Sequence, residues 1–218
     1  MTDLMKKKID DGREYRDMTL EARADTIHDK VVEGYATTFD QPYHLFYDGD
    51  DEVLEQVDRH AFDEADLSDV VMQYDHEGRV FARLSNGTLQ LESDEHGLKV
   101  RADLSGTELG RNLYEEIKGG YTTKMSFGFT VAKDNMQDMG GHKWIRTIRK
   151  IGKLYDVSAV SYPQNSFTEI TARKAVEGDL TALKAERERL EEEKRILEEK
   201  KEQLLSRIAQ LKGEVHGD

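Results

Sequence analysis

Three residues of the types that serine-dependent hydrolysis requires stand in suggestive local settings. Ser126 lies in KMSFGFTV, a segment of strand composition flanked by Met125, Phe127 and Phe129, with Gly128 close by. A small residue beside a strand serine leaves room for a carbonyl to approach. His76 ends an apolar run in MQYDHEGRVFARL, at a turn marked by Gly78. Asp156 interrupts the apolar strand of KLYDVSAVSYP, and a carboxylate facing inward there requires a partner. A serine nucleophile needs a base for its proton and a third group to orient that base. Each residue also has a plainer reading: a polar position in a strand, a surface turn histidine, an outward-facing strand acid. Spacing alone does not bring the three together, and no G-x-S-x-G elbow is present. The other histidines, His28, His44, His60, His96, His142 and His216, sit in polar or loop contexts without metal-ligand spacing. The absence of cysteine excludes disulfides, thiolate metal sites and cysteine catalysis.

The elements that must position these residues are mostly strands. Segments 31–39, 69–76, 87–93, 97–104 and 124–132 have β-type composition, and 142–162 is expected to form two strands. Leu98, Val100, Ala102 and Leu104 fall on one face of their strand, and Leu89 and Leu91 on one face of theirs. Asn86-Gly87, the turn ending at Gly97 and Gly140-Gly141 separate the segments. One helix is expected over 107–120, with Leu109, Leu113, Tyr114 and Ile117 at helical spacing and Gly119-Gly120 as its stop. A second, shorter helix is expected over 60–67. Residues 1–28 read as a polar, loosely held lead-in that could hold one strand or a short helix. Residues 29–173 read as the principal domain, and 176–212 as a charged helical tail. The fold class is α+β: a mostly antiparallel β-barrel or sheet with a few surrounding helices, plus a long C-terminal helix or coiled coil.

In the tail, leucine recurs at 183, 190, 197, 204 and 211, a strict seven-residue step. Placing these at d puts Leu180, Arg187, Lys194, Lys201 and Ile208 at a, so the ends of the seam are apolar and its middle is charged. A single solvated helix held by i,i+4 Glu–Lys pairs and a self-associating coiled coil both fit. Over 174–212 ten basic residues balance ten acidic ones, so the formal net charge of −13 lies in the rest of the chain. Such a chain is a poor binder of nucleic acid or an anionic membrane surface. No apolar run reaches the length of a membrane helix, and the N-terminal MTDLMKKKIDDGREYRD has no apolar core of a secretory signal. A soluble intracellular protein is expected.

An ordered series of local patterns over residues 14–173 resembles the prohead (capsid maturation) serine proteases of tailed bacteriophages, related in fold to the herpesvirus assemblins. VVEGYATTFD resembles the opening strand of that family, and RHAFDEAD its helix start, with Arg59-His60 in place of the usual glycine. VVMQYDHEGRVFARL resembles the stretch that carries the family histidine, and NGTLQLESDEHGLKVRADL the hairpin after it. KMSFGFTV resembles the nucleophile strand, and LYDVSAVSYPQNSFTEI the closing strand, ended by Pro163.

The resemblance implies that Ser126 attacks the peptide carbonyl, that His76 is its base, and that Asp156 orients the imidazole. The family position of the third residue is often Glu, and assemblins use a second histidine. The oxyanion donors carry no signature; Arg146 and Arg149 are candidates between which spacing does not choose. No metal or organic cofactor is implied. The implied partners are the major capsid protein, with its scaffolding segment, and the protein itself, through autocleavage and homo-oligomerisation of the C-terminal helix. The implied location is the procapsid within the host cytoplasm. The competing reading is a catalytically inactive β-domain that serves procapsid assembly as a coiled-coil scaffolding protein. Removing residues 176–218 is expected to reduce incorporation into the prohead without abolishing hydrolysis.

Overall fold

The computed structural model describes residues 3–18, 23–24, 30–160 and 165–215. His28, Pro163 and His216 lie outside the described residues. The chain divides into two compact units, Met1–Ala175 and Val176–Asp218. The first opens with helix α1 (Asp3–Asp10) and strands β1 (Glu14–Met18) and β2 (Arg23–Ala24). There follow β3 (Val31–Thr38), β4 (Tyr43–Asp48), β5 (Asp51–Val57), β6 (Val71–Tyr74), β7 (Glu77–Arg83), β8 (Leu89–Ser93) and β9 (Gly97–Asp103). Helix α2 (Glu108–Lys118), the long strands β10 (Lys124–Gly140) and β11 (Lys143–Val160), and helix α3 (Asn165–Val215) complete the order.

The fold is α+β and strand-rich, built on two sheets. The larger has the order β1-β10-β11-β5-β4, with β6 and β7 added beside β11. The smaller is β2-β3-β9-β8, antiparallel throughout. Of the barrel or sheet expected, the structure takes the open sheet: the larger one ends in β1 on one side and β4 on the other. That sheet is not wholly antiparallel, because β11 runs parallel to β5 and to β6. The core lies between the sheets and α2. It joins Leu89, Leu98, Val100 and Ala102 of the small sheet to Phe127, Phe129, Ile148, Ile151 and Val157 of the large one. Strand alternation accounts for this set, since every second residue of β9 faces inward. Helix α2 is capped by Thr107, whose hydroxyl accepts from the Gly110 amide at 3.0 Å. It buries Leu113, Tyr114 and Ile117, whereas Leu109, expected on the same face, is 41% exposed.

Two local expectations fail for tertiary reasons. Residues 142–162 were expected to form two strands, but β11 is continuous over Lys143–Val160. It pairs with β10 along its whole length, while β5 takes its first half and β6 its second. The change of parallel neighbour, not a break in the strand, produces the two-part pattern. Residues 60–67 form successive turns instead of a helix. Their backbone bonds to β11: the Ile151 amide donates to the Ala61 carbonyl at 2.8 Å, and the Asp66 amide to the Gly152 carbonyl at 2.9 Å. Groups paired with a neighbouring strand cannot also close helical turns.

Candidate active site

Ser126 enters the site through alternation along β10. Phe127 and Phe129 stack at 4.5 Å and enter the core, which leaves Ser126 and Gly128 on the opposite face. Across the ladder, Ser126 pairs with Ser158 and Gly128 with Asp156 of β11. His76 arrives from the two-residue hairpin between β6 and β7, where Tyr74 pairs with Glu77. Asp75 and His76 both adopt positive φ, 51° and 60°, the requirement of a type I′ hairpin turn. Backbone conformation thus fixes the direction of the imidazole. The turn is tied down by the Asp75 amide, which donates to the Ala159 carbonyl at 3.0 Å. The Lys8 ammonium adds a hydrogen bond to the His76 carbonyl at 2.7 Å.

These elements bring all three sequence-derived candidates together. His76 Nδ1 lies 2.5 Å from Asp156 Oδ1, and His76 Nε2 lies 2.7 Å from Ser126 Oγ. Asp156 Oδ1 also accepts from the Ser158 hydroxyl at 2.8 Å. The Asp156 carboxyl is 2% exposed, and burial by itself pushes its pKa up. The attraction and hydrogen bond of His76, with the Ser158 hydroxyl, more than offset this and hold it below the ordinary value. An ionised Asp156 accepts from His76 Nδ1–H, so Nε2 is the lone-pair nitrogen that receives the Ser126 hydroxyl. The hydroxyl has a single proton, and the Arg16 carbonyl, at 3.0 Å, competes with Nε2 for it. Ser126 has no exposed surface and His76 only 6%.

Sequence reading missed the contribution of β1. Its register sets Tyr15 beside Gly128 and Asp17 beside Ser126. The Tyr15 ring meets His76 edge-on, with centroids 4.6 Å apart. Burial, then the nearby Asp156 charge, raises the Tyr15 phenol well above its usual range, so it stays neutral. Gly128 is not the substrate clearance that its position beside Ser126 suggested. A Cβ there would lie 2.7 Å from Asp156 Oδ2 and 2.8 Å from Tyr15 Cε1, so the glycine makes room for these two side chains. Ser158 was open to detection, because it stands two residues after Asp156 on the same strand face. Tyr15 was not, because nothing in its own segment names β10 as a neighbour.

Arg146 and Arg149 are engaged elsewhere. Arg146 bonds Glu14, Glu55 and Asp134, and Arg149 bonds Asp58 and Asn135. Arg16 completes the buried cluster, donating to Glu14 and twice to Glu55 at 2.5–2.8 Å. Alternation along β1 therefore sends Tyr15 to the imidazole and Arg16 into an ion network on the other face.

A serine–histidine–aspartate series in this order of contacts is the constellation that recurs, on unrelated folds, in serine hydrolases. The family model for the caudovirus prohead serine protease matches residues 18–181, and the chain belongs to that family. The match includes Ser126, His76 and Asp156 and begins after Lys8, Tyr15 and Arg16. No curated protein and no solved structure is significantly similar to the chain. Among the described residues, no helix is long and apolar enough to cross a membrane.

Proposed function

We propose that the protein is a serine endopeptidase that cleaves the scaffolding segment of the phage major capsid protein, and itself, during procapsid maturation. The observation that carries this reading is the order of the contacts: carboxylate to Nδ1 at 2.5 Å, then Nε2 to hydroxyl at 2.7 Å. Ser126 Oγ attacks the scissile carbonyl while its proton passes to His76 Nε2. The ionised Asp156 stabilises the resulting imidazolium and preserves the tautomer. The imidazolium then gives the proton to the leaving amine, and the acyl-enzyme remains on Ser126. A water, deprotonated by His76, then attacks the ester, and as the C–O bond breaks the imidazolium returns that proton to Ser126 Oγ, which frees the acid product. The reaction takes place inside the procapsid in the host cytoplasm, with capsid protein and other copies of the chain as partners.

Because Ser126 is fully covered, substrate entry on this reading requires the cover to move. Strand β1 is part of that cover, since its Arg16 carbonyl lies 3.0 Å from Ser126 Oγ. The same burial favours the second reading, an inactive domain that serves assembly through its helix. Wild type, Ser126→Ala and Asp156→Asn, each expressed with and without the capsid precursor and read by intact mass, separate the two. Cleavage by wild type, abolished in Ser126→Ala and slowed by about 10⁴ in Asp156→Asn, is the expected result. An intact precursor and intact chain in every case would leave the scaffolding reading standing.

A further inference from the structure

Helix α3 exposes an apolar stripe along the tail. Leu190 is 44% exposed, Leu197 67%, Leu204 62% and Ile208 48%, all at a or d positions of the heptad. From Glu188 to Gln210 every residue is exposed. We infer that this stripe pairs with α3 of a second copy of the chain, and that the two helices run antiparallel. The protease reading is not required for this inference.

Charge along the seam selects both the partner and the direction. In a parallel pair each a residue faces its own copy, so Arg187, Lys194 and Lys201 would each meet an identical cation in the core. In an antiparallel pair a faces d. Arg187 then lies opposite Leu204 of the second copy, Lys194 opposite Leu197, Lys201 opposite Leu190 and Ile208 opposite Leu183. The leucines cover the aliphatic stems of the basic residues, and the charged heads extend to solvent.

The flanking positions agree with this. In the antiparallel register, g faces g: Glu186 meets Arg207 of the second copy, and Glu193 meets Lys200. The e positions place Glu191 against Glu198 and Lys184 against Leu205. In the parallel register, g faces the next e, and both Glu186–Glu191 and Glu193–Glu198 are repulsive. The antiparallel arrangement therefore separates the buried cations and gains the opposite-charge contacts at g.

The chain has no cysteine, so single substitutions report the register cleanly. Full-length chain carrying Ser126→Ala, which blocks self-cleavage, is combined with either Arg187→Cys or Leu204→Cys. Under mild oxidation, a mixture of the two is expected to form a linked dimer, while each alone stays unlinked. Linkage of either variant with itself would mark a parallel pair and overturn the inference. A Ser126→Ala chain that sediments as a monomer at the crosslinking concentration would also overturn it. Glu186→Lys with Glu193→Lys supplies a second readout. It should weaken the antiparallel dimer roughly tenfold, because both g contacts become repulsive. Tighter association would point to the parallel register and overturn the inference.

Discussion

At the scale of single residues, the site depends on one missing side chain. Gly128 stands in a row with Tyr15 and Asp156 across three strands, and those two side chains fill the volume that any Cβ would need. Gly128→Ala should displace Asp156 Oδ2 and the Tyr15 ring, both of which bear on His76. The expected stability loss is about 1–3 kcal/mol, the usual cost of overpacking. On the proposed protease reading, cleavage of the capsid precursor should fall much further, because a small misplacement of catalytic groups costs about a hundredfold. Parallel urea denaturation and cleavage assays check this; equal and small effects would mean that the Asp156–His76 contact tolerates the shift.

At the scale of elements, β1 contributes to both faces of the larger sheet. Tyr15 packs on His76, while Arg16 and Glu14 enter the buried network with Glu55 and Arg146. Burial pushes the Glu55 carboxyl up, but the Arg16 charge and hydrogen bonds, then Arg146 and Tyr43, bring it down to about 2. A folded-state pKa below the unfolded one contributes stability that is fully present above the unfolded value. That contribution drains as the pH falls through the folded value. The group should therefore contribute on the order of 3 kcal/mol near neutrality. This should fade as the pH falls below about 4.5 and be gone below about 2. Asp156, also depressed, adds a contribution of the same sign. Denaturation midpoints across acidic pH measure the loss. Glu55→Gln should flatten the dependence while lowering stability, because it leaves the buried arginines short of a counter-charge.

At the largest scale, the effect of removing the tail depends on where it is cut. Val176 and Leu180 are buried, whereas the helix is exposed from Glu188 to Gln210, and the family match ends at 181. A cut at 176 would remove two buried apolar residues, so the informative truncation ends the chain after Ala182. On the proposed reading of site and tail, that protein should fold and cleave peptide at close to the full-length rate, yet enter proheads less efficiently and sediment as a monomer. Normal incorporation would remove the tail from assembly. Lost hydrolysis in a folded protein would show that the tail serves the active site as well.

Residue types set out which chemistry was on offer, and strand periodicity showed which apolar residues of β8 and β9 share a face. Alternation in LKVRADL put Leu98, Val100, Ala102 and Leu104 on one face, the seven-residue leucine step predicted a helix with a seam, and the ordered motifs pointed to the family. Those are local properties, set by side-chain type and by the periods of strand and helix. Only the tertiary structure decided which strands became neighbours. It joined His76 to Asp156 and Ser126 from positions far apart in the chain, and it laid β1, from the polar lead-in, against the nucleophile strand. It kept β11 whole by giving it one antiparallel partner along its length, and it held residues 60–67 as turns because their backbone groups were already paired. A strand's pattern states that it needs a neighbour and which side must be apolar. The identity of that neighbour depends on the packing of the whole domain, which no local window contains.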